Sequence, residues 1–327
     1  MFTVLHFSCI CACFNVINNI AVLFYDLHYI KRQKESYRTE TFDIIFRYIS
    51  YCGEITVLLP VLCILYWCIN KTLAYFALFN YFISGSVIQC TKIALRIPRP
   101  WILNSAFTPV ESALETATGY SFPSGHVQGS SSVFLSVAIW CKNRFLSIIC
   151  SIVTGLVLFS RLYLGVHTPL DVFISLTVSV ITILVIKHFG RNYIFPRTNK
   201  IAMLMIAILY SIGLCLYSYI LVYWEVSSME LVADSVVFAA SLTGFSIGVY
   251  IENRYIGFRT QCFSFFMQII KILLGIGGLL LINYGCSLLP LHRIYADSLK
   301  GFLVCIWATC VFPVFIKLVQ KKNYSEL

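Results

Sequence analysis

The stretch FLSIICSIVTGLVLFSRLYLGVHTPLDVFISLTVSVITILVIK, residues 145–187, has a long apolar run on each side of one short polar motif. The runs 145–160 and 172–186 contain no acidic or basic side chain, and neither alternates polar with apolar residues as a strand of a membrane barrel does. A helix needs about 20 mainly apolar residues to cross a bilayer, and about 17 suffice at the short limit. The stretch therefore predicts two membrane-spanning helices, at 145–163 and 169–187, joined by a polar loop.

The composition of the whole chain points the same way. Of its 327 residues, 59% are hydrophobic and 12% are charged, and the mean hydropathy is +0.83. Soluble domains carry about 25% charged residues, so this composition excludes a soluble globular protein. The net charge of +10 comes from short basic clusters between apolar runs. Such clusters are typical of topology determinants at a lipid surface, so we expect the bilayer, and no nucleic acid, as the partner.

Nine stretches are long and apolar enough, or nearly so, to cross a membrane. They centre on 55–70, 72–91, 124–141, 145–163, 169–187, 201–224, 233–251, 265–285 and 301–317. Residues 1–25 contain no Lys, Arg, Asp or Glu and are a possible first span. The sequence therefore predicts an all-α, polytopic bundle of transmembrane helices.

A break in the apolar pattern at 188–200 divides the predicted bundle. Gly190, Pro196 and several basic residues interrupt the pattern there. We expect 1–190 to form one part, which contains every polar motif discussed below, and 191–327 to add about four further spans.

The distribution of Lys and Arg predicts which loops face outward. Loops at 92–123, 161–168, 225–232 and 286–299 then lie on the non-cytoplasmic side. Residues 26–50 do not fit this assignment, because they carry five basic residues and would lie on the same, non-cytoplasmic side. An amphipathic helix on the outer leaflet, around Phe42–Tyr51, would reconcile them with the rest.

Most of the fourteen cysteines lie inside apolar stretches, and we interpret them as free thiols that pack as small hydrophobic residues.

Three polar motifs lie at span ends that are predicted to open on the same face. They are Lys92-Ile-Ala-Leu-Arg-Ile-Pro-Arg99-Pro100, Pro123-Ser124-Gly125-His126, and Ser160-Arg161-Leu-Tyr-Leu-Gly-Val-His167-Thr-Pro-Leu-Asp171. The Arg guanidinium suits the oxygens of a phosphate group, and Lys adds a compact positive charge. Backbone N–H groups where a helix begins, at Ser124 and Gly125, form an anion site of a common kind. Together these groups predict a phosphate cradle.

Two histidines and one carboxylate supply the reactive groups that such a cradle needs. Asp171 follows His167 by four residues, so one helical turn brings its carboxylate beside the ring. A carboxylate on one ring nitrogen fixes the tautomer and leaves the other nitrogen free to attack. His126 has no carboxylate close to it in the sequence and is the better candidate for a general acid.

Each motif alone has an ordinary structural interpretation. Lys92 and Arg99 also fit a pair that reaches for lipid headgroups, and a single HxxxD is also found in structural or metal sites. The segment Pro123–Gly125 also fits a turn before a helix.

In their order and spacing the motifs resemble the signature of the type-2 phosphatidic acid phosphatase (PAP2) superfamily, which includes glucose-6-phosphatase and the vanadium haloperoxidases. That signature reads KxxxxxxRP, then PSGH, then SRxxxxxHxxxD. Every defined position is present here: Lys92, Arg99, Pro100, Pro123, Ser124, Gly125, His126, Ser160, Arg161, His167 and Asp171.

By this resemblance, His167 is the nucleophile that forms a phosphohistidine, Asp171 orients it, and His126 protonates the leaving oxygen. The phosphate-binding residues implied are Lys92, Arg99, Ser124, Gly125 and Arg161. The resemblance implies neither a metal nor another cofactor. It covers about residues 50–190 and implies a six-helix catalytic core, to which 1–25 would contribute the first helix. It also implies an integral protein of a bacterial cytoplasmic (inner) membrane, with its site on the non-cytoplasmic side.

The implied reaction is metal-independent hydrolysis of a lipid phosphate or lipid pyrophosphate, and the aromatic loop 101–122 is expected to form part of the substrate entrance. The residues do not choose among undecaprenyl pyrophosphate, phosphatidic acid, phosphatidylglycerophosphate, lipid A phosphates and sphingoid phosphates. Two alternatives stay open. One is a phosphotransferase that passes phosphate from His167 to a lipid or sugar. The other is a non-enzymatic anion or lipid transporter, which the extra C-terminal spans would suit. The sequence gives no indication of the oligomeric state.

Overall fold

The computed structural model describes residues 38–104, 107–193, 200–260 and 265–325. Within these ranges the chain forms helices and no strand, which confirms the all-α fold class. The ten cysteines within them are free thiols, as predicted. The possible first span at 1–25 lies outside the described residues and stays a prediction.

The first part of the chain contains eight α-helices in the described residues. They are α1 (Glu40–Tyr51), α2 (Ile55–Ile64), α3 (Lys71–Leu95), α4 (Pro100–Leu103), α5 (Gly125–Ser130), α6 (Ser136–Cys141), α7 (Arg144–Tyr163) and α8 (Pro169–Tyr193). Turns of π-helix extend α2 through Leu65–Ile69 and join α5 to α6 through Ser131–Leu135. Side chains cap several of the starts; for example, Thr39 Oγ1 accepts from Phe42 N at 3.3 Å, and Asn143 Oδ1 accepts from Leu146 N at 3.0 Å.

The second part contains α9 (Lys200–Tyr223), α10 (Met229–Ile251), α11 (Phe265–Ser287), α12 (Arg293–Ile306) and α13 (Phe312–Ser325). A π-helical turn at Glu252–Ile256 extends α10, and another at Trp307–Val311 joins α12 to α13.

Seven helical segments of the described chain are long and apolar enough to cross a membrane: Lys71–Leu103, Arg144–Tyr163, Pro169–Phe189, Ile201–Tyr223, Met229–Ile256, Phe265–Ser287 and Arg293–Gln320. The last four are the predicted C-terminal spans. An eighth would be α1 with the helix Ile55–Ile69, which meet at a 43° bend. The predicted span at 124–141 is not among the seven, because its helical run, from Gly125 to Cys141 with a π-turn in the middle, is only 17 residues long. The predicted amphipathic helix is present as α1, and its position at the outer leaflet stays a prediction.

The chain forms two compact units. One comprises Met1–Leu58 and Ile83–Thr182, and the other comprises Leu59–Phe82 and Ile183–Leu327. The first unit contains all the predicted site residues. The predicted division of the chain at about residue 190 stays a prediction.

The second unit contains a buried ion pair between Lys71 and Glu252. Tyr75 also donates its hydroxyl to Glu252, at 2.5 Å. Nearby, Trp67 Nε1 donates to the carbonyl of Ala308 at 2.9 Å. Because a buried charge is stable only when paired, the bonds from Lys71 and Tyr75 explain how this unit holds the fully buried carboxylate of Glu252.

In the first unit, α1 packs on the end of α7 through aromatic side chains. The ring of Phe46 lies 4.4 Å from the ring of Tyr163 and 5.4 Å from that of Phe159, centre to centre. Tyr163 also donates its hydroxyl to Asp43 at 2.9 Å. These contacts fix the end of α1, and with it the turn that follows, beside the third motif.

Candidate active site

Backbone hydrogen bonds bring the three motifs together. Ser121 N donates to the carbonyl of Ile97 at 2.9 Å, and Ser124 N donates to the carbonyl of Asp171 at 3.3 Å. The side chains of Ile97 and Phe122 form a small apolar cluster beside these bonds. The first motif is thereby joined to the second, and the second to the third.

The inner part of the loop 101–122 lies on the third motif. Val110 N donates to the carbonyl of Leu164 at 3.0 Å. Both belong to an apolar cluster with Ala113 and Val166, against which partly buried aromatic side chains pack. The residues just before His167 are therefore held by apolar packing as well as by the backbone. The predicted role of this loop as a substrate entrance stays a prediction.

His167 and Asp171 form the predicted pair. His167 Nδ1 lies 3.2 Å from Asp171 Oδ2, and both residues are buried. The same oxygen accepts from Thr168 N at 2.9 Å and from Ser121 Oγ at 2.6 Å. Three donors thus converge on one oxygen and fix the position of the carboxylate. The sequence prediction missed Ser121, which lies fifty residues from Asp171.

The contact between Arg99 and His167 assigns the tautomer of the histidine. Arg99 Nη1 lies 3.1 Å from His167 Nε2. A guanidinium can only donate, so Nε2 is the unprotonated nitrogen and Nδ1 carries the proton that Asp171 accepts. Three carbonyls hold the guanidinium in this position: those of Thr118, Gly119 and Val166. The nitrogen with the free electron pair therefore faces a fixed cation.

The surroundings of His167 keep its ring neutral. Burial lowers the pKa of His167 well below its ordinary value of 6.5, and the positive charges of Arg99, Arg161 and Lys92 lower it further. Lys92 and Arg99 are themselves buried. A neutral ring has the electron pair that a nucleophile needs, and the cations that keep it neutral also attract an anion.

Arg161 is fully buried and only partly satisfied. Its Nη1 donates to Ser50 Oγ at 2.6 Å, while Nε and Nη2 have no hydrogen-bond partner among the described residues. Buried donors without a partner are costly, and an anion with several oxygens would satisfy them. Ser50, at the end of α1, is a second site residue that the sequence prediction missed.

The second motif supplies a hydroxyl and open space. The backbone N–H of Ser124 is engaged by Asp171, so this donor, which we expected to face the anion, is occupied. The Ser124 hydroxyl is buried and has no partner within the described part of the chain. At Gly125, a Cβ atom would meet nothing within 4 Å. Ser124 can therefore offer its hydroxyl to a ligand, and Gly125 leaves room beside it.

His126 has a carboxylate partner that the sequence prediction missed. Its Nε2 lies 3.3 Å from Oε1 of Glu54. Glu54 lies in the short turn between α1 and α2, 72 residues before His126. One signal pointed to it, because Glu54 is an ionisable residue at the very start of an apolar span, where such residues are usually functional.

The described residues contain no group of three or more His, Cys, Asp and Glu side chains that could hold a metal ion. Each of the two histidines instead contacts one carboxylate. The site thus combines a neutral imidazole, a second imidazole paired with a carboxylate, and three buried cations, of which Arg161 has donors without a partner in the described residues. Such an arrangement can bind a phosphate group, attack it and protonate its leaving oxygen.

Comparison with protein families gives two matches. Residues 72–195 match the PAP2 superfamily, and this stretch contains all three motifs. Residues 236–323 match the transmembrane extension of PAP2 superfamily phosphatases. Together the two stretches make up more than half of the chain. The last three of the four C-terminal spans therefore lie mostly or wholly within the match to this extension, and Ile201–Tyr223 lies outside it.

Two curated proteins are similar over part of their length. A probable sphingosine-1-phosphate phosphatase of Dictyostelium discoideum is 29% identical over 203 residues, which is 54% of this chain and 47% of that protein. The undecaprenyl-diphosphatase BcrC of Bacillus subtilis (strain 168) is 34% identical over 87 residues, which is 26% of this chain and 40% of that protein. The chain thus spans less than half the length of these relatives. No solved structure matches.

Proposed function

The chain belongs to the PAP2 superfamily, and on that premise we propose that it is an integral membrane phosphatase acting on a lipid phosphate or lipid pyrophosphate. The observation that carries the proposal is the geometry at His167. Its neutral Nε2 faces Arg99, its Nδ1 faces Asp171, and the whole group is buried. A histidine held in this way is prepared to attack a phosphorus atom and form a phosphohistidine.

The proposed reaction has two steps. In the first, His167 Nε2 bonds to phosphorus, the bond from phosphorus to the leaving oxygen breaks, and His126 gives that oxygen a proton. In the second, water attacks the phosphorus and gives a proton to His126 as the nitrogen–phosphorus bond breaks. The net change is hydrolysis, and both histidines return to their starting states. Asp171 accepts the Nδ1 proton of His167 in a hydrogen bond throughout.

Buried cations would stabilise the charge on the phosphate oxygens during both steps. In the proposal Lys92, Arg99 and Arg161 bind these oxygens, the hydroxyl of Ser124 adds a donor, and Gly125 lets the anion approach the backbone. The unused donors of Arg161 and Ser124 support this assignment.

The proposed substrate is a lipid because the site belongs to a membrane protein and both curated relatives are named for lipid substrates, sphingosine-1-phosphate and an undecaprenyl diphosphate. The distribution of Lys and Arg supports a site on the non-cytoplasmic side. The bacterial cytoplasmic membrane stays a prediction. The match of 236–323 to a phosphatase extension supports an enzyme over a transporter, because it accounts for three of the four extra spans.

The test of the proposal is phosphate release by the full chain purified in detergent. We expect free phosphate from at least one member of a panel of lipid phosphates and pyrophosphates, and we expect EDTA to leave the rate unchanged. Phosphorylated acceptor without matching free phosphate would favour the phosphotransferase instead. No turnover of any substrate in the panel would contradict the proposal, and loss of activity in EDTA with recovery in zinc would contradict the metal-free mechanism.

We expect a bell-shaped dependence of kcat/KM on pH, because one histidine must be neutral and the other protonated. The rising limb reports loss of the proton from the nucleophile. Since the pKa of His167 is lowered below 6.5, this limb should lie below pH 6.5, and the ring should be neutral at every higher pH. A rising limb above pH 6.5 would contradict the assignment of His167 as the neutral nucleophile.

A further inference from the structure

We infer that Glu54 is the positioning residue for the acid histidine, holding His126 through its Nε2 so that Nδ1 serves the leaving oxygen. The inference rests on the proposed function. It assigns a role to the turn between α1 and α2, which lies ahead of all three motifs in the sequence.

The contact itself indicates which nitrogen does what. Glu54 Oε1 lies 3.3 Å from His126 Nε2, and the two side chains are 16% and 14% exposed. A carboxylate accepts hydrogen bonds, so Nε2 is the protonated nitrogen that donates. The remaining nitrogen, Nδ1, is then the one available to carry a second proton and release it. His167 has the opposite arrangement, with Asp171 on Nδ1 and with Nε2, which faces Arg99, as the attacking nitrogen.

The backbone brings the turn as close to His126 as packing allows. A Cβ atom on Gly53 would lie 2.7 Å from the carbonyl oxygen of His126 and 3.0 Å from its Cβ. Any side chain at this position would therefore push the turn away from the histidine. Glycine at 53 is what permits Glu54, the next residue, to reach the ring.

The turn is also fixed from its other side. Gly53 N donates to the carbonyl of Ser50 at 2.9 Å, and Glu54 N donates to the carbonyl of Tyr51 at 2.9 Å. The hydroxyl of Ser50 accepts from Arg161. One short segment thus contacts both a phosphate-binding candidate and the acid histidine. These bonds hold the turn in place, and a positioning residue needs such a rigid support.

The negative charge of the Glu54 carboxylate also favours the protonated form of the His126 ring. The other charged or titratable groups that act on the His126 ring are Arg161, His167, Arg99 and Lys92. Burial lowers the pKa of His126 below its ordinary value, and the positive charges of Arg161, Arg99 and Lys92 lower it further, although a general acid must be protonated before it can act. The Glu54 carboxylate, whose Oε1 lies 3.3 Å from Nε2 of the ring, supplies a negative charge that counters these effects.

In the reaction, Glu54 changes neither its bonds nor its protonation. It accepts the Nε2 proton of His126 in a hydrogen bond while the Nδ1 proton moves to the leaving oxygen as the phosphorus–oxygen bond breaks. When water later attacks the phosphohistidine, Nδ1 takes up a proton from that water. The carboxylate favours the protonated ring at the start of the cycle and restores it at the end.

The test is a comparison of leaving groups in Glu54→Gln, which keeps the size of the side chain and removes its charge. An alkyl lipid phosphate has a strongly basic leaving oxygen that needs the acid, whereas the nitrophenolate of p-nitrophenyl phosphate leaves without a proton. We expect kcat for the lipid phosphate to fall about 10- to 100-fold with little change in KM. For p-nitrophenyl phosphate we expect a fall of less than about 3-fold, because the missing acid matters little there.

The pH profile gives a second readout that a purely structural role would not move. The falling limb reports loss of the acid's proton, and without the carboxylate that proton is lost more easily. The falling limb of Glu54→Gln should therefore shift to lower pH, while the rising limb stays in place. Glu54→Asp keeps the charge and should recover part of the activity towards the lipid phosphate.

Glu40→Gln is the matched control, because Glu40 is exposed in the first turn of α1, and it should retain wild-type rates with both substrates. Size-exclusion chromatography and thermal unfolding check the folding of each variant. If Glu54→Gln does not fold, the two substrates are compared in Glu54→Asp instead. We then expect a smaller fall in kcat, again larger for the lipid phosphate than for p-nitrophenyl phosphate. An equal loss with both substrates, or no loss with either, would overturn the inference. A wild-type chain that releases no phosphate would instead overturn the proposed function.

Discussion

Replacing His167 with alanine is expected to reduce phosphate release by at least about 10⁴-fold, to the background of the assay. The side chain supplies the attacking Nε2, and Arg99, which faces that nitrogen, cannot take its place because a guanidinium has no free electron pair to attack with. With substrate that carries radiolabelled phosphate, rapid quenching of the wild type should trap label on the protein. That label should be stable in alkali and lost in acid, as a nitrogen–phosphorus bond is.

The control for this experiment is His188→Ala, since His188 is an exposed histidine near the end of α8. It should keep both turnover and the trapped label. If His167→Ala retained more than a small fraction of wild-type activity, or still trapped label, His167 would not be the nucleophile.

Replacing Arg161 with methionine is expected to lower kcat/KM by about 10²- to 10³-fold, the usual cost of removing one fixed donor from a site that stabilises developing charge. Methionine has a similar length and no charge. Because Nε and Nη2 have no partner among the described residues, removing them costs the folded protein little. The thermal unfolding temperature should therefore stay the same or rise. Arg161→Lys should also lose activity, since an ammonium cannot reproduce the two-pronged contact with phosphate oxygens.

Arg144→Met tests whether the loss is specific to the site. Arg144 is exposed at the start of the same helix, α7, so its replacement should leave kcat/KM unchanged. Loss of activity in Arg161→Met that accompanied a large fall in unfolding temperature would assign Arg161 a structural role. Unchanged activity would remove it from the phosphate site.

The sequence was sufficient to predict the fold class and most of the spans. Long apolar runs have few alternatives to a transmembrane helix, because a bilayer satisfies no backbone hydrogen bonds. The segment 124–141 was harder to predict, since it is short and its serines and glycines make it weakly apolar. In the structure it is a helical run with a π-turn in its middle, and its residues Gln128 and Ser132 bond with Ser84 inside the first unit.

The pairing of His167 with Asp171 was predictable because it is local. Residues four apart on a helix are neighbours whatever the rest of the chain does. Here the carboxylate lies in the first turn of α8, and the histidine lies just before that helix. Contacts of this kind follow from spacing alone.

The partners supplied by Ser50, Glu54 and Ser121 were not predictable in this way. Each meets its partner across fifty or more residues, so each contact depends on how α1, the loop after α4 and α7 pack. Spacing carries no information about such packing. No carboxylate lies close to His126 in the sequence, and the structure supplies one from a turn that precedes every motif.

The partly satisfied state of Arg161 has a consequence for the end of the proposed catalytic cycle. Product phosphate that bonds to Nε and Nη2 must break those bonds to depart, and its departure exposes the same unmet donors again. The feature that draws phosphate in thus opposes its escape. Turnover would then be limited by how fast inorganic phosphate leaves, and the enzyme would slow as that product accumulates outside the membrane.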